Sequence, residues 1–190
     1  MLYHNEHFLI DSANPLWPHY RTIGPWLLPH GIVGATALAM TFFQFSTRLR
    51  SRNSQLHRVM GRIYVAAVFV VAPLGAYIQF LDEKTGTSRS LTFAAITFAS
   101  LWMFATGMAL WCIRGRRIDQ HRQWMTRSLA MALVFLEIRV TEGLTGWDTL
   151  GPAVDEMVEW VCVALAYPLA DTVLQIETYL RSRRQVASAP

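Results

Sequence analysis

The stretch RLRSRNSQLHRVMGRIYVAAVFVVAPLGAYIQFL, residues 48–81, decides the fold. Its first part is basic and polar, and in its second part, residues 59–81, Arg62 is the only charged residue. About 20 apolar residues are enough for an α-helix to cross the hydrocarbon core of a bilayer. The stretch therefore predicts a membrane-spanning helix whose basic end stays on the inner side of the membrane.

A second stretch repeats this order. Residues 114–135 read RGRRIDQHRQWMTRSLAMALVF, again a basic cluster, a glutamine, a His-Arg pair and an apolar helix. Both stretches would enter the membrane from the same side. We therefore expect His57 and His121 to lie at similar depth.

The composition is that of an integral membrane protein. Of 190 residues, 53% are hydrophobic and only 16% are charged, whereas soluble domains are about a quarter charged. The net charge of +4 comes almost wholly from arginines, most of which lie in three runs, residues 48–62, 114–127 and 181–184. Such runs indicate topology rather than the basic face of a soluble nucleic-acid-binding protein. Cys112 and Cys162 lie in apolar segments without metal-like spacing, so we expect packing roles and no disulfide.

We predict an all-α fold, a polytopic transmembrane helical bundle of about five spans. The predicted spans cover residues 26–45, 59–81, 91–113, 124–140 and 157–179. The first four form the core, and the fifth is weaker because Glu159, Pro168 and Asp171 interrupt it. Placing every basic run on one side puts the N-terminus outside and the C-terminus inside.

The predicted domain organisation has three parts. Residues 1–25 form an outer N-terminal flap, residues 26–180 form the transmembrane helical domain, and residues 181–190 form a basic inner tail. The flap is poor in Lys and Arg and is broken by prolines. It lacks a basic segment followed by an apolar one, so we expect no cleaved signal peptide.

The predicted inner site consists of His57, His121 and four arginines near them in sequence. These arginines are Arg58, Arg62, Arg122 and Arg127. Imidazoles on two helices that enter from the same side are suited to be the two axial ligands of one haem b, or to line a quinone-facing pocket, with arginines bound to acidic groups. The alternative is that these side chains hold helix ends at the headgroup level and bind anionic phospholipids.

A second, outer site is predicted from His30 in the first span with Arg139 and Glu142 at the end of the fourth. Charged residues in membrane segments usually face a bundle interior or a cavity. Glu142 follows Arg139 by three positions and can pair with it on one helix face. The alternative is that Arg139 extends outward to the membrane surface.

Several spaced motifs together resemble a known family. They are PHGIVGATALAMTFFQF (29–45), LRSRNSQLHRVMGRIYV (49–65), Trp102, IDQHRQWMTRSLAM (118–131) and Arg139. Over about residues 25–140 the chain resembles the prokaryotic predicted membrane proteins of domain-of-unknown-function family 2306. The resemblance implies four core helices and a multi-pass protein of the bacterial inner membrane, and it carries no established activity.

The leading functional hypothesis is a redox or haem-linked membrane protein. No phosphate-binding loop, catalytic triad or metalloprotease motif is present in the sequence, so we expect no independent enzymatic activity. The alternative is a structural or lipid-binding subunit of a larger membrane complex or homo-oligomer. We expect no nucleic acid among its partners. A small transporter that uses His30 and Arg139 is a third reading, although neither an inverted repeat nor a pair of broken helices is evident.

Overall fold

Helices account for all regular structure that is described. The structure is a computed structural model that describes residues 17–187, without the side chains of residues 17–20, 139, 142, 148 and 149. The helices are α1 (Trp17–Phe45), α2 (Thr47–Arg52), α3 (Ser54–Glu83), α4 (Arg89–Arg114), α5 (Ile118–Thr145) and α6 (Pro152–Ala187), with a 3₁₀ turn (Trp147–Leu150) before α6. The predicted all-α fold is confirmed. Most of the predicted flap, residues 1–25, lies outside the described residues, and α1 begins at Trp17, before the predicted span.

Four of the described helices, α1, α3, α4 and α6, are long and apolar enough to cross a membrane. This confirms a polytopic membrane bundle. The segment predicted to be the weakest span lies in α6 and meets the criterion, whereas α5 does not. Arg127, Glu137 and Arg139 lie within the predicted fourth span and lower its hydropathy. With 28 residues α5 is nevertheless about 42 Å long, enough to cross the hydrocarbon core.

The chain divides into two compact units, which meet along the chain at Ser100 and Leu101 within α4. The first unit contains α1 to α3 and the first part of α4. The second contains the rest of α4, together with α5 and α6.

In the first unit α1 and α3 pack as an antiparallel pair. His30 lies against Gly75 near one end, Gly34 against Val71 in the middle, and Gln44 against Gly61 near the other end. Glycine and alanine let helix backbones approach closely in a membrane, where the hydrophobic effect does not drive helices together. The sequence pattern of small residues in the first span thus produces close packing.

Two side-chain caps shape the basic connection between α1 and α3. The Ser46 hydroxyl accepts a hydrogen bond from the Leu49 amide at 3.2 Å and begins the short helix α2. The Asn53 side chain accepts from the Leu56 amide at 2.9 Å and begins α3. Both caps satisfy amides that the first turn of a helix leaves without partners. The arginines of residues 48–52 are thereby kept at the helix ends.

In the second unit α4, α5 and α6 contact one another. The Thr106 and Ser128 hydroxyls, both fully buried, lie 2.7 Å apart and connect α4 to α5. The Tyr167 hydroxyl on α6 donates to the Leu101 carbonyl on α4 at 2.7 Å. Buried polar groups are costly in an apolar environment unless they are paired, so these contacts fix how the helices pack.

Candidate functional site

The end of the first unit that contains His57 is built around Gln44. Its side-chain amide donates to the His57 carbonyl at 3.1 Å and holds the first turn of α3 against the end of α1. A Cβ atom at Gly61 would lie 3.2 Å from the Gln44 carbonyl oxygen, so glycine makes room for this contact. The His57 side chain is half-buried, whereas Arg58 and Arg62 are exposed.

The packing of α5 against α4 fixes the His121 imidazole. Its Nδ1 atom lies 2.9 Å from the Ala109 carbonyl on α4. A carbonyl only accepts hydrogen bonds, so Nδ1 carries the proton and Nε2 keeps its lone pair in the neutral ring. Metal-bound histidines usually donate their other ring N–H in this manner. His121 is therefore arranged as a hydrogen-bond acceptor or a metal ligand through Nε2.

Arg122 and Arg127, which the sequence assigned to acidic groups of a ligand, make ion pairs across to α6. Arg122 lies 3.2 Å from Glu177, which also pairs with Arg181. Arg127 approaches Asp171 at 2.7 Å. Both pairs connect the beginning of α5 to the second half of α6, which shows that the two helices run antiparallel. An acidic ligand would have to share these guanidinium groups with the protein's own carboxylates.

Aromatic rings position the Arg127 guanidinium. It lies over the Trp124 ring at 4.7 Å, and this ring packs edge-on against Phe104 at 5.4 Å between centroids. A cation over an indole face is stabilised by the negative charge of the ring face. The ring and Asp171 thus hold the guanidinium from two directions.

An open groove of about 450 Å³ lies between α5 and α6 beside this ion pair. Its polar lining consists of Gln123, Arg127, Asp171, Gln175, Thr178 and Tyr179. The lining residues of each helix lie on one helix face, since residues that are three, four or seven positions apart in sequence are neighbours on a helix.

The predicted residues of the inner site are divided between the two units. His57, Arg58 and Arg62 lie in the first, and His121 lies in the second with Arg122 and Arg127. The pairing of His57 with His121 on one iron stays a prediction. Among the residues that the structure describes, no group of three or more His, Cys, Asp or Glu side chains is arranged to hold a metal ion.

In the predicted outer site, only the His30 side chain is among those that the structure describes. Its ring fits against Gly75, where an added Cβ atom would lie 2.9 Å from Cε1. The His30 Nδ1 atom is buried and has no hydrogen-bond partner among the described residues. The side chains of Arg139 and Glu142 lie outside the described ones, so their part in this site stays a prediction.

The sequence did not single out Asp171, Glu177 or Gln44 as members of the inner site. Asp171 was recognised only as an interruption of the fifth span. A signal for the acidic pair was nevertheless present, because two arginines near the start of one helix and two carboxylates near the end of the next are complementary when the helices run antiparallel.

A family model supports the sequence-based resemblance and extends it. The model for the predicted membrane proteins called DUF2306 matches residues 27–170, about three quarters of the chain. The chain belongs to the DUF2306 family. The match covers α3, α4 and α5 completely and all of α6 up to Ala170. The search of curated proteins and the search of solved structures each found no match to this DUF2306 protein.

Proposed function

We propose that this DUF2306 protein is a redox-linked membrane protein that holds a haem b, with His121 as one axial ligand and His57 as the other. The observation that carries the proposal is the hydrogen bond from His121 Nδ1 to the Ala109 carbonyl at 2.9 Å. It leaves the Nε2 lone pair free for a ligand bond and holds the ring in one orientation. Bound haem would supply one-electron transfer.

The arginines nearby differ in their availability for propionates. Arg58 and Arg62 are exposed, and neither is paired with a carboxylate among the described residues. Arginine binds carboxylates through two parallel hydrogen bonds, so these two are better suited to propionates than Arg127, which Asp171 engages. The same side chains would serve in a quinone-facing pocket, where His121 Nε2 would accept a hydrogen bond from a quinol hydroxyl.

The test is an ultraviolet–visible spectrum of the purified protein, oxidised and dithionite-reduced, after expression with haem supplied. We expect a stoichiometric Soret band with sharp α and β bands on reduction. His57→Ala and His121→Ala should each remove the low-spin spectrum, because each removes an iron ligand. His30→Ala, which alters a histidine near Gly75 instead, is the matched control and should leave the spectrum unchanged. A featureless spectrum of well-folded protein would refute the haem assignment.

Exposed arginines favour a second candidate function, the binding of anionic phospholipids. Four arginines have exposed side chains: Arg58 and Arg62 in the first three turns of α3, Arg114 at the end of α4, and Arg116 in the turn that follows it. Each Arg near an anionic membrane surface contributes about 1 kcal/mol of attraction. A lipid-binding subunit would retain phosphatidylglycerol through detergent purification, and salt would weaken this retention. Replacing Arg58 and Arg62 together with Gln should lower it, whereas His121→Ala should not.

A further inference from the structure

The groove between α5 and α6 contains one charge of each sign. Arg127 directs both Nε and a terminal nitrogen to a single oxygen of Asp171, Oδ1, at 2.8 and 2.7 Å. A guanidinium has five N–H donors, so three of them remain. The other carboxylate oxygen, Oδ2, accepts no hydrogen bond from the described residues. The pair therefore still offers both donors and an acceptor to a ligand.

Both charged side chains are accessible from the groove. The Arg127 side chain is 21% exposed and that of Asp171 is 47% exposed. An ion pair that served only to join two helices would be more stable if it were fully enclosed, since partly exposed charges are costly within the hydrocarbon core. This exposure indicates that a polar group covers the pair in the membrane.

The groove runs from the headgroup level toward the membrane interior. Glu177, with Arg122 and Arg181, forms a charged cluster suited to the headgroup region. Asp171 precedes Glu177 by six residues, which corresponds to about 9 Å along a helix. Val173 and Ile176 are exposed on the same segment of α6, as expected for side chains that face lipid tails. A ligand with a polar head and an apolar tail would match this gradient.

We propose that the groove binds the head group of a zwitterionic phospholipid of the phosphatidylethanolamine type. The remaining N–H donors of Arg127 would meet the phosphate, and Asp171 Oδ2 would meet the ammonium group. Gln175 and Tyr179 line the groove beside them and supply further hydrogen-bonding groups. An anionic head group without an ammonium would gain the contact with Arg127 but would lie against the Asp171 carboxylate, which repels it.

This lipid site is independent of the haem proposal. It uses Arg127 and Asp171, and it needs neither His57 nor His121. It also differs from anionic-lipid binding at the exposed arginines, because it predicts a preference for a head group of zero net charge. The haem spectrum therefore does not test the lipid site: the lipid experiments below can refute the site when haem is bound, and the site does not fail when haem is absent.

The experiment measures lipid retention by native mass spectrometry of the full chain, reconstituted in nanodiscs of equal phosphatidylethanolamine and phosphatidylglycerol. We expect the unaltered protein to retain about tenfold more phosphatidylethanolamine, the ratio given by about 1.4 kcal/mol. Asp171→Asn should reverse or abolish this preference, because only the ammonium contact is lost. Arg127→Gln should lower the retention of both lipids. Arg183→Gln, in the exposed tail of the same helix, is the control and should change neither.

A second measurement does not depend on altering the ion pair. In a Cys162→Ala background, Thr178→Cys places a thiol in the groove, and phosphatidylethanolamine should protect it from a maleimide more than phosphatidylglycerol does. Equal retention of the two lipids with equal protection would overturn the proposal. So would an Asp171→Asn variant that keeps the preference, or a groove that is protected only when the protein self-associates.

Discussion

At the scale of single residues, the contact between His30 and Gly75 shows how little space is left between α1 and α3. A Cβ atom at position 75 would lie 2.9 Å from His30 Cε1, closer than a side-chain atom normally approaches. Pro73, two residues before Gly75 in α3, lacks an amide proton and removes one helical hydrogen bond in the same region. The imidazole thus lies against a part of α3 whose regular bonding is already interrupted.

We predict that Gly75→Ala destabilises the protein. The added methyl group must displace the imidazole, and overpacking of this kind costs about 1–3 kcal/mol. A lower midpoint of thermal unfolding in detergent would show the loss. Combining His30→Ala with Gly75→Ala should restore part of it, because the smaller side chain removes the clash.

Gly31→Ala on α1 is the matched control for this prediction. No atom lies within 4 Å of the position of a Cβ at Gly31, so alanine meets no neighbour there. Alanine is favoured over glycine in helices by up to about 1 kcal/mol, and we expect unchanged or slightly raised stability. If both substitutions changed the midpoint equally, the His30 contact would not be the cause.

At this scale the sequence identified important residues more successfully than it identified the groups that those residues contact. His121 was identified from its position after a basic run, but its bond to Ala109 depends on how α4 and α5 pack. Arg127 was assigned to a ligand, whereas the structure pairs it with Asp171. Periodicity and charge order do not specify a partner that lies 44 residues away, so these contacts could not be predicted.

At the scale of helices, α5 and α6 depend on each other. α6 is apolar enough to cross a membrane and α5 is not, yet ion pairs join the start of α5 to the second half of α6. A helix that packs antiparallel against a spanning helix, and is joined to it by residues 146–151, is expected to lie alongside it in the membrane. The charges of α5 would then be tolerated because α6 supplies the carboxylates.

We predict that α5 inserts poorly into a membrane by itself and efficiently when α6 follows it. A charged residue near the centre of a spanning helix costs about 2.5–3.5 kcal/mol in insertion assays. Glycosylation mapping of the isolated segment and of the α5–α6 hairpin measures the difference. Asp171→Ala in the hairpin should lower the insertion of α5, since Arg127 loses its partner.

Glu177→Ala is the comparison for that experiment. Glu177 is 46% exposed and pairs with Arg122 and Arg181 in a more solvated position, where an ion pair contributes about 0–1 kcal/mol. Its removal should hardly change insertion. Equal insertion of α5 with and without α6 would contradict the dependence of one helix on the other.

The helices extend beyond the predicted spans for a physical reason. Hydropathy marks only the residues suited to the hydrocarbon core, such as 59–81, whereas α3 begins at Ser54 because Asn53 caps it. α6 likewise continues into the arginine-rich segment that was predicted as a separate tail. Helical hydrogen bonds persist in the headgroup region, so the helix and the apolar segment need not end together.

At the scale of the whole molecule, the alternation of helices and basic connections predicts the topology. If all five long helices cross, residues 46–53 and 115–117 and the end of α6 fall on one side, and residues 84–88 and 146–151 fall on the other. The three arginine runs, residues 48–62, 114–127 and 181–184, then all lie on the inner side, as the positive-inside rule requires. The N-terminus would lie outside.

Reporter fusions test this arrangement. A fluorescent protein that folds only inside the cell should be bright when it follows Arg52 or Ala187, and alkaline phosphatase should be active when it follows Glu83 or Thr145. If the phosphatase is active after Glu83, an active phosphatase after Ala187 as well would mean that the number of crossings between these two points is even. That result would exclude an arrangement in which α4, α5 and α6 all cross the membrane.

The sequence predicted the helical membrane fold and the family because hydropathy and charge act locally along the chain. The outer site predicted from His30, Arg139 and Glu142 stays a prediction, because only the His30 side chain is described, and the pairing of His57 with His121 depends on the arrangement of distant helices. The groove beside Asp171 was not predicted, since it forms only when α5 and α6 lie side by side.

The depth of the pair formed by Arg127 and Asp171 affects the surrounding lipid. Asp171 lies about 9 Å from Glu177 along α6, so the groove carries polar groups from the headgroup level into the hydrocarbon layer on one side of the protein. Lipid tails beside this groove would have to shorten or tilt to avoid a polar surface. The protein should therefore be more stable in membranes with short acyl chains than in thick ones, and it should thin thicker bilayers along one flank.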